Sequence, residues 1–176
     1  MLKKLTTFGL LFGSLLFVAS AHGQAHPTAT AISKLQLGGG FSYATTDYGR
    51  KANKGMTFYG DYDIGVHWGG EAEYHYTSIS STPTGVSENS FLVGPRFIVG
   101  NHGFKLYGKG MIGLGRISYP PARVRETDFV FAAGGGVEYL LGDHITLRPI
   151  DFEYQRWSFQ TGLTPKVVTI GAAYRF

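Results

Sequence analysis

The sequence predicts an all-β chain of eight antiparallel strands. Three observations carry that expectation. Apolar and polar side chains alternate with a period of two from about residue 33 to the end. The 26 glycines and 15% aromatic content supply strand formers and strand punctuators, while residues that build amphipathic helices are scarce. The connectors between the alternating runs are by turns long and short. At 176 residues the chain suits one domain.

The runs follow one another in order. "KLQLGGGFSYA" sets Leu35, Leu37, Phe41 and Tyr43 on one face against Lys34, Gln36 and Ser42. "MTFYGDYDIGV" opposes Met56, Phe58, Tyr62 and Ile64 to Thr57, Asp61 and Asp63, and "GEAEYHYTS" opposes Ala72, Tyr74 and Tyr76 to Glu71, Glu73 and His75. In "NSFLVGPRFIVG" the split is Phe91, Val93 and Phe97 against Leu92, Gly94 and Arg96. "FKLYGKGMIGLG" gives Phe104, Leu106, Ile112 and Leu114 against Lys105, Tyr107, Lys109 and Met111; "DFVFAAGGGVEYL" gives Phe129, Phe131, Val137 and Tyr139 against Asp128, Gly134 and Glu138. "HITLRPIDFEYQRW" slips by one residue at Pro149, so that Ile145 and Leu147 are continued by Ile150, Phe152 and Tyr154. Proline cannot donate to a ladder, so a bulge at Arg148-Pro149 explains the slip. In the last run Val168, Ile170, Ala172, Tyr174 and Phe176 share a face opposite Thr169, Gly171, Ala173 and Arg175.

Ahead of these runs, Lys3, Lys4, the apolar "FGLLFGSLLFVA" and Ala19-Ser20-Ala21 read as a cleaved export signal over residues 1–21, with 22–32 a short polar leader and 33–176 the folded domain. Loss of Lys3 and Lys4 takes the formal charge from +4 to +2, which gives no bias toward nucleic acid. Cysteines are absent, so disulfides do not staple the exported chain.

Eight strands of roughly ten residues, with tight turns at one end and longer loops at the other, are organised as an up-and-down transmembrane β-barrel. With its export signal and a C-terminal strand ending in Phe176, residues 33–176 resemble the eight-stranded outer-membrane β-barrel family that contains the transmembrane domain of outer membrane protein A and small adhesin-like relatives. The resemblance implies a monomer in the bacterial outer membrane. It also implies that the barrel-assembly machinery reads the final strand, with Tyr174 and Phe176 as the signal, and that this strand pairs with the first to close the sheet.

Set in such a barrel, the polar face lines the lumen. Asp61, Asp63, Glu71, Glu73, Glu138, Asp151 and Glu153 then meet Arg96, Lys105, Lys109, Arg148 and Arg175 in a narrow interior. Buried charges must pair, so a salt-bridged plug is expected in place of an open channel. The first long loop carries Arg50, Lys51 and Lys54, and the third Arg116, Arg123 and Arg125; these are candidates for contact with lipopolysaccharide phosphates, the alternative being a solvated loop.

Other motifs read as structure. "GKGMIG", Gly108 to Gly113, matches a dinucleotide fingerprint by letter but sits inside a strand with no helix after it. Glycine there, and at 38–40 and 134–136, lets strands bend and bulky neighbours fit the lumen. Glu71, Glu73 and His75 share a strand face, yet such neighbours stand nearly 7 Å apart, about two rises, so a lumen wall is expected and not a metal site. Some barrels of this size are lipid A deacylases or palmitoyltransferases, but no serine, base and acid cluster is apparent around His67 or His144, and neither catalytic residues nor cofactors are expected. The reading is a non-enzymatic outer-membrane protein for envelope integrity or surface interaction. Its rivals are a narrow solute channel and an exported lipocalin-like barrel, which would turn the apolar faces inward.

Overall fold

The computed structural model describes residues 35–45, 53–78, 87–101, 103–119, 124–158 and 162–176. The expected signal peptide and leader lie outside them. Eight strands form: β1 (Leu35–Thr45), β2 (Asn53–Asp63), β3 (Trp68–Ser78), β4 (Ser87–Asn101), β5 (Phe104–Tyr119), β6 (Val124–Leu141), β7 (Ile145–Trp157) and β8 (Lys166–Arg175). Each pairs antiparallel with its sequence neighbour, and β1 pairs with β8 from Gln36↔Arg175 to Thr45↔Lys166, closing the barrel. Closure gives every strand two neighbours, leaving no sheet edge with unpaired backbone groups.

The face assignment follows the alternation. Phe41, Phe58, Phe91, Ile112, Phe129, Phe131, Ile170 and Phe176 are all more than half exposed on the outer wall. Asp61, Glu71, Glu73, Arg96, Lys109, Glu138, Arg148, Asp151 and Glu153 are buried inside. The apolar faces therefore point outward, opposite to a lipocalin-like arrangement. An outer wall of this kind is stable only against hydrocarbon, because in water it would leave large contiguous apolar surface hydrated.

The bulge falls where proline demands it. The β7–β8 register shifts between Arg148 and Asp151, and the β6–β7 register shifts between Val137 and Tyr139. Pro149 and Ile150 are both exposed, so Arg148 and Asp151 both turn inward.

Several strand boundaries differ from expectation. β2 stops at Asp63, and Ile64 N–H and Gly65 N–H donate to Trp68 O in a tight turn. The third long connector is shorter than the run 116–127, because Arg116↔Thr127 and Ser118↔Arg125 continue the β5–β6 ladder. Backbone pairing tolerates any side chain, so a ladder extends past the residues whose alternation reveals it. Arg116 and Arg125 are thus strand residues, not loop residues, and so is Lys54, which pairs with Tyr43 and Ser78 at the start of β2.

Candidate functional site: a layered lumen and a one-sided outer charge

The lumen fills in layers from the short-turn end upward. At the mouth, Lys105 Nζ and Arg175 Nη2 lie 3.3 and 3.8 Å from Asp63 Oδ2. Above them Arg148 forms the hub of the interior. Its Nη2 is 2.7 Å from Asp61 Oδ2 and 2.8 Å from Glu138 Oε1, and its Nη1 is 2.8 Å from Glu71 Oε1 and 3.2 Å from Asp151 Oδ2. Arg96 reaches Asp61 at 2.7 Å and Glu138 at 3.0 Å, and Gln36 Nε2 donates to Glu138 Oε1 at 3.0 Å. The β7 bulge is what brings Arg148 and Asp151 side by side.

Two tyrosines complete this layer. The Arg148 guanidinium stands 3.7 Å from the Tyr59 ring centroid, and Arg96 stands 4.5 Å from that of Tyr107. Each ring lies against a glycine: a Cβ at Gly38 would collide with Tyr59, and one at Gly136 with Tyr107. The glycine runs thus make room for the rings that stack on the arginines, where cation–π attraction adds to the ion pairs. Tyr107 Oη also donates to Asp151.

One layer higher, Lys109 Nζ is 2.7 Å from Glu73 Oε1, 3.0 Å from Asp151 Oδ2 and 3.3 Å from Glu153 Oε2. His75 Nε2 lies 3.3 Å from both Glu73 Oε2 and Glu153 Oε1, and its Nδ1 is hydrogen-bonded to Thr57 Oγ1 at 2.8 Å. Ser42 bonds Thr57, and Thr169 Oγ1 is 3.1 Å from Ser42 Oγ. Gln155 Nε2 donates to Glu153 Oε1 at 2.7 Å, and Trp157 Nε1 donates to Gln155 Oε1 at 3.1 Å. Toward the long loops Leu92, Met111, Ile117, Val130, Ala132, Trp157 and Leu163 form a buried apolar cluster, beside buried Asn53, Thr77, Glu88, Ser90 and Asp128.

All the candidate lumen residues face inward, and only Lys105 and Asp63 sit at the partly open mouth. Sequence reasoning put Gln36, Thr57 and Gln155 on the polar face without giving them a role in the network, and it left out Tyr59 and Trp157, although Tyr59 shares the strand parity of Asp61 and Trp157 that of Glu153. It also separated Glu71, Glu73 and His75 by their spacing along one strand. Glu71 indeed goes to Arg148, but β7 brings Glu153 across the barrel to Glu73 and His75.

On the outer wall, Tyr174 and Phe176 are exposed side by side with ring centroids 5.1 Å apart, and Phe176 N–H donates to Leu35 O at 3.1 Å. Lys54 and Arg116 point outward; Arg50, Lys51 and Arg123 lie outside the described residues, as does the Arg125 side chain. Arg156 and Lys166, not singled out from the sequence, are outward too. Among the described residues every outward lysine and arginine stands toward the long-loop end, and the exposed acid, Asp143, occupies a short turn.

A closed barrel with an apolar exterior and a charged interior is a membrane-spanning β-barrel. The chain belongs to the outer membrane protein beta-barrel domain family, which it matches over residues 12–176. No curated protein matches it at significant similarity. Among solved structures it is similar to Neisserial surface protein A (14% identity, TM-score 0.68, covering 82% of this chain and 98% of that one). It is also similar to Ail, the attachment invasion locus protein of Yersinia pestis (19% identity, TM-score 0.58, 82% and 99%), and to OprG of Pseudomonas aeruginosa (14% identity, TM-score 0.58, 82% and 96%). At these identities the likeness is one of fold.

Proposed function

We propose that this chain is a monomeric, non-enzymatic protein of the bacterial outer membrane that supports envelope integrity by binding lipopolysaccharide at its outer wall. The observation that carries the reading is the one-sided placement of Lys54, Arg116, Arg156 and Lys166. Long loops face the exterior in such barrels, so these cations stand at the level of the outer-leaflet headgroups, where lysine and arginine pair with phosphate. The lumen supports a role at the surface over one in transport, since its ion pairs fill an interior that eight strands leave only wide enough for side chains.

Replacing Lys54, Arg116, Arg156 and Lys166 together by glutamine should weaken binding to lipopolysaccharide micelles on the order of tenfold or more at low salt, with the β-sheet circular dichroism spectrum intact. Unchanged binding would reduce these residues to a solvated rim. For assembly, Phe176 is the residue the barrel-assembly machinery reads. Its deletion should lower folded yield in cells well beyond any loss on refolding into detergent, and equal losses would leave only a stability role.

A further inference from the structure

Glu73, His75 and Glu153 come from opposite walls, β3 and β7, and each offers a donor atom within 4.8 Å of the other two. All three residues are at most 4% exposed. His75 Nε2 is 3.3 Å from one oxygen of each carboxylate. Donors about 2.0–2.1 Å from a tetrahedral ion stand ~3.3 Å from one another, so the two spacings from His75 are those of ligands sharing one small cation. Beyond these 3.3 Å contacts, neither His75 Nε2 nor Glu73 Oε2 has a further hydrogen-bond partner.

The surroundings are those of a metal site. Thr57 Oγ1 fixes the imidazole through Nδ1, Lys109 holds the other oxygen of each glutamate, and Gln155 donates to Glu153 Oε1. Outer partners of this kind orient ligands and set their basicity. A water-sized cavity lined in part by His75, Thr77, Glu88, Ser90 and Gln155 lies beside the imidazole. Charge points the same way. Among the described residues, buried Asp61, Glu71, Glu73, Glu138, Asp151 and Glu153 have only Arg96, Lys109 and Arg148 as permanent cations within ion-pair distance, so carboxylates outnumber cations even with His75 charged.

We propose that Glu73, His75 and Glu153 bind a first-row divalent metal ion inside the lumen, with Zn2+ the best match to one imidazole and two carboxylates. His75 ligates through the Nε2 lone pair while its Nδ1–H donates to Thr57 Oγ1. The ion ties β3 to β7 across the barrel and offsets part of the carboxylate excess.

The test uses the full barrel purified in detergent, stripped with a chelator, and titrated with Zn2+ against a chromophoric competitor, with bound metal counted by mass spectrometry. About one Zn2+ per chain is expected. Glu153→Gln and His75→Gln should each weaken binding tenfold or more, whereas His67→Gln with His144→Gln, both on exposed turns, should leave it unchanged. X-ray absorption of the loaded protein should show a single imidazole with oxygen ligands. Uptake far below one per chain, affinity unchanged from the unmodified protein in both lumen variants, or loss only in the turn variant would overturn the proposal. If His75→Gln fails to fold, Glu153→Gln and the absorption spectrum of the unmodified protein decide.

Discussion

The half of the lumen nearer the short turns and the half nearer the long loops are built from the same strands with the same inward parity, yet they are sealed by different forces. Below, Arg96, Lys109 and Arg148 are interlocked with carboxylates from several strands. Above, Leu92, Met111, Ile117 and Val130 pack by shape alone around Trp157, whose one polar contact is with Gln155, with buried Thr77, Glu88, Ser90 and Asp128 alongside. An ionic layer is all-or-none, because removing one member strands buried charges without a partner. An apolar layer degrades by degrees, since the loss follows the volume and contacts removed. Trp157 shows the second kind of fit: its ring occupies the space a Cβ at Gly115 would need.

Two seals in series make the sharpest prediction. In planar bilayers the unmodified protein should show no steady conductance, and Arg148→Ala or Trp157→Ala alone should give at most brief leak events, since the other layer still blocks the path. The combined variant should conduct steadily. A steady current in the unmodified protein would break the comparison and favour solute passage; a steady current in one single variant would show that only that layer seals.

The next effect in size is on stability. Arg148→Ala removes the shared partner of Asp61, Glu71, Glu138 and Asp151, and should cost about 3–5 kcal/mol in urea unfolding followed by the gel-mobility difference between folded and boiled protein. A loss under about 1 kcal/mol would mean the carboxylates are satisfied without it.

Trp157→Ala should give a smaller loss in the same assay, about 3 kcal/mol, from the cavity it leaves among Leu92, Met111 and Val130. If the two losses came in the reverse order, apolar packing and not the ion network would dominate the interior.

The fold was legible in the sequence to the level of the strand face. Period-two alternation from Leu35 to Phe176 separates inward from outward residues, because successive side chains of a strand point to opposite sides whatever surrounds them. The slip at Pro149 located the β7 bulge for the same reason, as proline lacks the donor that a regular ladder requires. The shared polar face of Glu71, Glu73 and His75 was also visible, and so was the need for each buried acid to find a cation. Parity says which side a residue is on but not what stands across the lumen. That depends on the stagger of eight strands around a closed circle, to which no local pattern is sensitive. So the tertiary structure alone decided that Glu71 goes to Arg148 while Glu153 crosses to His75, that Gly38 and Gly136 seat the rings beneath the arginines, and that Arg156 and Lys166 join Lys54 and Arg116 at one end of the outer wall. Burial of charge is a property of the chain's composition and parity; the choice of partner is a property of closure, because only the closed sheet brings β3 and β7 face to face.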